Sequence, residues 1–458
     1  MRTNDRCETG LAEPSFSSML ALALTAVSAA ADDDLPPLTL LDYDLLISGH
    51  DYSAEVAAAY SKDGLGILAV VGAPNSTIES PRRRLLQLAH TLATSPSEKL
   101  AAYERPELSY ASGWSLGRET FKGKPDMSKG SWYAHALEDD PGAGDPSAHR
   151  YPLLTPTNIW PSALVGDDFE AAFKELSRGL YDLSAHVLRN ADAYVEATNP
   201  SAPKGALLRS THERSRLHVG RLLHYYAPNA SDDAPAGGAG GAAEESDEDS
   251  GWCGWHNDNS VITCLPPALW LDEQTGEPIA AEECPAGGLV VRTRKGRRVG
   301  VQVPRGAILF QLGEAAQIIS GGLLMATPHA VRKGGAQRAP PPTRTTPPLS
   351  PRPPRPTPTP TPTPTHLTTP HHPAPPTLRT AAAGISRESF ALFVEPHWDY
   401  PIGDAADLAA LHEGDRANDD VIPPLARRLK ALPVEFGKFL VDSISEYYNH
   451  DQKGAAAA

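Results

Sequence analysis

Cysteine is scarce in this chain of 458 residues, with four in all: Cys7, Cys253, Cys264 and Cys284. So few in so long a chain exclude a disulfide scaffold. Long hydrophobic runs are missing too. A membrane helix needs about 18–20 apolar residues, and the longest run, residues 19–31, covers 13 positions. Positive charge is in deficit, with 41 Lys+Arg against 56 Asp+Glu and a formal charge of −15. Nucleic acids and anionic membranes are bound by Lys and Arg neutralising phosphates, so neither is an expected partner. What remains is a soluble chain long enough for one large domain or two ordinary ones.

The composition is uneven in three places. Residues 230–251 carry seven acidic groups and almost nothing to bury, so they read as a solvated insert. Residues 340–376 hold 17 of the 45 prolines, which excludes helix and interior strand and favours extended polyproline conformation. The surrounding insert, 335–383, reads as a surface excursion, with a proline-recognising partner as the functional alternative. Residues 1–34 form a leader. Its 19–31 run followed by Asp32, Asp33 and Asp34 faintly resembles a signal-peptide core. The preceding Asp5, Glu8 and Glu13 outnumber Arg2 and Arg6, where targeting requires a positive flank. A disordered leader on a cytoplasmic protein is the expectation, and a targeting segment the alternative.

Elsewhere the pattern predicts helices first, then a β core, then a helical C-terminus. A strand is expected over 35–43, a helix over 52–62, a buried strand over 66–71 and a helix over 82–94 opened by Pro81. The clearest helix runs from Asp168 to about Ala191, because Phe169, Phe173, Leu176, Leu180, Leu183 and Val187 form one stripe. After Arg216, short apolar runs at 261–265, 288–292, 299–303, 307–312 and 389–395 alternate with Pro, Gly and charged turns. That texture is an antiparallel barrel or sandwich. Helices follow at 425–432 and 436–448. The fold class is mainly β with flanking helices. Its divisions are a leader (1–34), an N-terminal helical region (35–200), a β domain (201–400) with inserts 230–251 and 335–383, and C-terminal helices and tail (401–458).

Within the β region, His256 and Asp258 stand two apart, so on a strand both project from one face. His329 ends another predicted strand. Two His and one carboxylate form a facial triad suited to non-haem Fe(II), with three positions left open. Arg387 and Ser389 share a face beyond the proline-rich insert, a pair fit to grip a carboxylate by ion pair and hydroxyl.

These residues resemble the isopenicillin N synthase-like family of 2-oxoglutarate/Fe(II)-dependent dioxygenases. The likeness rests on an ordered series: Gly64–Pro74, Lys129–Tyr133, Asn158–Pro161, Arg221–Tyr226, His256-x-Asp258 with Ile262-Thr263-x-Leu265, Pro304-x-Gly306-Ala307, Gly313-Glu314, Ser320-Gly321-Gly322, Thr327-Pro328-His329 and Arg387-x-Ser389. Two departures stand out. Gly72-Ala73 replaces the usual His-Gly, and His224 stands where many relatives carry Asn. The resemblance implies a double-stranded β-helix, or jelly roll, with His256, Asp258 and His329 binding Fe(II). It also implies that Arg387 and Ser389 hold the distal carboxylate of 2-oxoglutarate, with Tyr226 adding a hydrogen bond. O2 would then be consumed with 2-oxoglutarate, releasing succinate and CO2 while a small organic substrate is hydroxylated or desaturated. Two rivals share the scaffold: a 2-oxoglutarate-independent oxidase that uses the Arg-x-Ser pair on its substrate, and a non-catalytic binding protein.

Other residues carry plainer readings. Cys253, His256 and Cys264 lack the Cys-x-x-Cys spacing of a zinc knuckle, and Cys264 reads as a small core residue. The basic run 292–298 reads as a solvated hairpin tip. His366, His371 and His372 belong to the proline tract. Trp252 and Trp255 either line the pocket or pack outward.

Overall fold

In the computed structural model the described residues are 36–118, 120–121, 124–227, 251–280, 288–332, 384–403 and 407–457. The leader, the acidic insert up to residue 250 and the proline-rich insert lie outside them, as do Cys7 and Cys284. Leu38–Ala458 forms one compact unit. Among the described residues, no helix is long and apolar enough to cross a membrane.

The N-terminal region contributes strands β1 (Thr39–Asp42), β2 (Ile67–Val71), β3 (Gly113–Leu116), the short β4 (Thr120–Phe121) and β5 (Lys124–Pro125), and β6 (Lys129–His135). Then come β7 (His218–Tyr225), β8 (Gly251–His256), β9 (Ile262–Leu265), β10 (Leu269–Asp272), β11 (Leu289–Arg292), β12 (Arg298–Gly300), β13 (Ile308–Leu312), β14 (His329–Arg332) and β15 (Ile385–Val394). The last two, β16 (Pro401–Ile402) and β17 (Val434–Glu435), pair with each other.

A nine-stranded sheet runs β1-β2-β13-β9-β15-β7-β6-β3, with β10 also on β15, and a four-stranded sheet runs β12-β11-β14-β8. Only β1 and β2 are parallel among these pairings. The result is a jelly-roll-like core with flanking helices, and the described strands do not close into a barrel. The architecture is mixed rather than mainly β, because much of the N-terminal half is helical and covers one face of the large sheet.

Those helices are α1 (Ser53–Tyr60), α2 (Ser80–Ala93) and α3 (Asp168–Thr198). Pro81 sits in the first turn of α2, where a missing N–H costs nothing. Asp168 and Glu170 favour the start of α3 by complementing its dipole. The predicted stripe from Phe169 to Val187 is buried, and Ala191 and Val195 extend it, so α3 continues past the expected end to Thr198. Pro200 then follows, which disfavours further helix at the residue before it.

Other elements depart from expectation for local reasons. The first strand begins only at Thr39, since Pro36 and Pro37 lack the N–H that a ladder needs. Lys129–His135 is a full strand that alternation could not reveal, because nearly every residue on both its faces is buried. The helix expected over 425–432 is confined to Leu425–Arg428, ahead of Pro433.

Parity along β7 and β15 divides the large sheet into two environments. Leu222, Phe390 and Leu392 join the main core under α3, where the Phe173 and Phe390 rings meet edge-on at 5.1 Å. Leu223, Tyr225 and Trp252 form a separate buried cluster with Trp270 and Val331, between the two sheets. The helix side tolerates no bulk at Gly220. A Cβ there would lie 2.5 Å from a Phe173 ring carbon and 2.9 Å from Phe390. Gly220→Ala should therefore cost about 1–3 kcal/mol by overpacking, read as a lower urea midpoint at unchanged m-value. An unchanged midpoint would show that the α3 contact yields without cost.

Candidate metal centre

Antiparallel pairing of β14 with β8 sets His329 directly opposite His256. Opposed residues project from the same face, so the two rings meet with centroids 4.2 Å apart. Asp258 follows two residues beyond His256, and its Oδ1 lies 3.8 Å from Nε2 of each imidazole. One donor atom from each of the three residues lies within 4.8 Å of the others, the one such grouping among the described residues.

The outer contacts suit a cation. Nδ1 of His256 donates to the Gly254 carbonyl at 2.8 Å, so the proton that a cation would displace is the one on Nε2, which faces Asp258. On His329, Nδ1 faces the buried Gln311 amide nitrogen at 2.5 Å, with the Thr327 carbonyl at 3.4 Å. Gln311 Oε1 is buried without a hydrogen-bond partner. Turning the amide over would present that oxygen to an Nδ1 proton and leave Nε2 of His329 as the ligand atom, in exchange for the 3.4 Å contact from the Gln311 amide nitrogen to the Thr327 carbonyl. Burial disfavours charge on His256, yet the Cys253 thiol, Asp258 and the Gly254 carbonyl hold its pKa up at about 9. Burial and the neighbouring His256 push His329 down to about 4. The three donors fit a divalent ion.

On the large sheet, Leu223 and Tyr225 of β7 share the cluster between the sheets with Val331, two residues beyond His329. Arg387 stands opposite Tyr225 and Ser389 opposite Leu223. The Arg387 guanidinium lies 5.1 Å from the Tyr225 ring centroid and 6.0 Å from that of Trp270, and burial lowers its pKa. Tyr225 in turn stacks on Trp252 at 5.0 Å. The expected tyrosine, Tyr226, is placed elsewhere. Its hydroxyl donates to the Ala93 carbonyl at 3.2 Å, and its ring rests on His224 at 4.4 Å. Adjacent residues on a strand face opposite ways, so of the pair Tyr225-Tyr226 it is Tyr225 that shares the Arg387 side.

The same parity sends His224 and Glu388 to the helix side, where they form a buried ion pair at 2.8 Å. Glu273 Oε1 lies 3.4 Å from the other ring nitrogen of His224. His224 therefore faces away from Arg387. Cys264 also lies on the helix side, its thiol donating to the Leu180 carbonyl at 3.8 Å, so it cannot join Cys253 and His256 around zinc. Of the two tryptophans, Trp252 turns inward, and Trp255 packs under the Arg298 guanidinium. The basic run does form a turn, closed by Thr293 N–H to the Arg297 carbonyl at 2.9 Å. Its side chains are not all solvated, because Arg292 pairs with Asp420 and Arg294 donates to the Ala326 carbonyl.

No protein-family signature matches the sequence, and no curated protein matches it. Solved structures do. A protein from Caulobacter crescentus assigned to the 2OG-Fe(II) oxygenase family superposes with a TM-score of 0.53 at 18% identity, over 89% of this chain and 98% of its own. A full-length Neurospora crassa protein, solved in complex with alpha-KG and thymine, gives a TM-score of 0.54 at 16% identity, over 94% of this chain and 99% of its own. At such identities the shared property is the fold.

The helix-side ion pair generates a stability prediction. Burial opposes charge on His224, but Glu388 and Glu273 outweigh it and raise its pKa from 6.5 to about 9. A raised folded-state pKa stabilises fully below the unfolded value, and the effect is lost as pH climbs through the folded one. Burial in turn raises the pKa of Glu388, which His224 holds down, so the window of about pH 6.5 to 9 and an increment of at most roughly 3 kcal/mol belong to the pair. His224→Gln should be less stable than wild type at about pH 6, by a margin that narrows at about pH 10. A margin independent of pH in urea titrations would mean that His224 is neutral when folded.

Proposed function

We propose that the protein is an Fe(II)- and 2-oxoglutarate-dependent dioxygenase of the isopenicillin N synthase-like type. In this reading it hydroxylates or desaturates a small organic substrate while 2-oxoglutarate and O2 yield succinate and CO2. The convergence of His256, Asp258 and His329 carries the reading. The fold shared with 2OG-Fe(II) oxygenases, and with a protein solved with alpha-KG, supports it. The jelly-roll region 201–400 then carries the chemistry, 230–251 and 335–383 are excursions from it, and 35–200 and 401–458 frame it.

Each residue has a task. His256, Asp258 and His329 would hold the ion, and iron bound there would supply O2 activation and oxidation of substrate. Arg387 presents two parallel N–H donors to the far carboxylate of 2-oxoglutarate, and Ser389, on the same face, adds a hydroxyl. Tyr225, rather than Tyr226, is the tyrosine placed to steady Arg387. Trp252, Trp270 and Leu223 wall the cavity with apolar surface and so exclude water from the oxidant.

His256→Ala should abolish stoichiometric Fe(II) binding and 2-oxoglutarate turnover while the fold persists. Arg387→Lys should weaken 2-oxoglutarate binding, and Arg387→Ala should weaken it further, by on the order of 2–4 kcal/mol. Iron affinity should hardly change in either. Succinate release measured against substrate oxidation checks the coupling. Oxidation at full rate without 2-oxoglutarate would move Arg387 to a substrate carboxylate, and full activity of His256→Ala would remove the triad.

A further inference from the structure

A chain of buried hydrogen bonds ties the C-terminal helices to the residue between two of the metal-facing side chains. Glu314 opens helix α4 (Glu314–Ile319), Arg428 ends α5 (Leu425–Arg428), and Ser443 lies on α6 (Phe436–Ala457). Both side chains of the Arg428–Glu314 pair are essentially inaccessible, at 0% and 1% exposure. One guanidinium nitrogen of Arg428 donates to Glu314 Oε1 at 2.7 Å, and the other donates to Oε2. Its Nε donates to the Pro423 carbonyl at 3.0 Å, and Ser443 Oγ lies 3.5 Å from Nη1. Glu314 then reaches the metal segment twice. Its Oε1 accepts from Asn257 Nδ2 at 2.9 Å, and its backbone N–H donates to the Asp258 carbonyl at 2.8 Å.

We propose that Arg428, Glu314 and Asn257 are positioning residues for the metal centre, through which the C-terminal helices set the divergence of His256 and Asp258. The proposal rests on the reading of those two residues and His329 as iron ligands. A buried ion pair adds little net stability, and apolar residues of like volume often replace it without loss. Apolar residues cannot, however, accept the Asn257 amide. A carboxylate held at both oxygens by a guanidinium has one fixed plane. The amide bonded to Oε1 therefore has one fixed position, and with it the backbone of residue 257. Rotation at that residue would swing the Asp258 carboxylate away from the two imidazoles.

Co(II) serves as the probe in the full-length apoprotein, because its d–d absorption reports ligand geometry independently of turnover. Asn257→Ala leaves the ion pair intact and should fold as wild type does. Its Co(II) affinity should fall about 10- to 100-fold, with altered d–d bands, as expected for loss of an outer contact to a ligand segment. Arg428→Lys keeps the charge but loses the paired donors, and should shift affinity and bands in the same direction. The double variant should bind no more weakly than Asn257→Ala, since both act along one route. Wild-type affinity and bands in Asn257→Ala overturn the proposal, as do losses that multiply in the double variant. Should Arg428→Lys fail to fold, Asn257→Ala alone decides. A wild-type protein that binds neither Co(II) nor Fe(II) defeats the metal reading itself, and the proposal with it.

Discussion

A slip of one residue between β8 and β14 would turn His329 to the opposite face of the four-stranded sheet and leave His256 facing an alanine. The observed register sets the two histidines across from one another, and β-bulges between His329 and Arg332 absorb the irregularity after that point. The other features of the site depend on this pairing. Asp258 follows His256 by two residues, past the end of β8, and Gln311 lies beside His329. The hydrophobic pattern of these strands alone would not hold the register, since β14 is short. The outer contacts of both rings do so, by giving each Nδ1 a partner that a slipped strand would forfeit.

The large sheet solves a different problem with the same period of two. It buries charge on both faces and keeps the two sets apart. Arg387 lies inward against aromatic rings. One residue along, Glu388 lies outward against His224. A guanidinium packed on rings along the inner wall is poised for an anion, whereas the outer pair is closed by its own partner and by α2. The backbone between them is one peptide long, so the charges are separated by the sheet itself. This separation leaves His224 and Glu388 paired on the helix side and Arg387 on the side of Tyr225 and Trp270.

Much of the site was legible because its signals are local. The His256-x-Asp258 spacing and the Thr327-Pro328-His329 segment each lie within a few residues, although Asp258 falls past the end of β8 and His329 opens β14 instead of ending a strand. The stripe of α3 was legible for the same reason. Tyr225 was not, because two adjacent tyrosines differ only in parity, and parity is set by pairing with β15 and β6 rather than by residue type. The strand Lys129–His135 escaped because burial on both faces erases alternation. The Arg428–Glu314–Asn257 chain was illegible in principle, since it joins segments far apart in sequence and shows itself only as ordinary polar residues.

That last connection bears on why the C-terminal helices pack where they do. By composition they could be a cover, and most of their apolar side chains, Phe436, Phe439 and Leu440 among them, do pack as one. A cover does not require a buried arginine. Arg428 is stripped of water to meet a carboxylate that is already committed to the ligand segment. A polar group placed where an apolar one would serve stability equally well is best explained by what it orients. The ligand segment lies at the end of a strand, where the ladder no longer constrains it. Asp258 therefore depends on tertiary contacts for its direction, whereas the β8–β14 pairing sets His256 against His329.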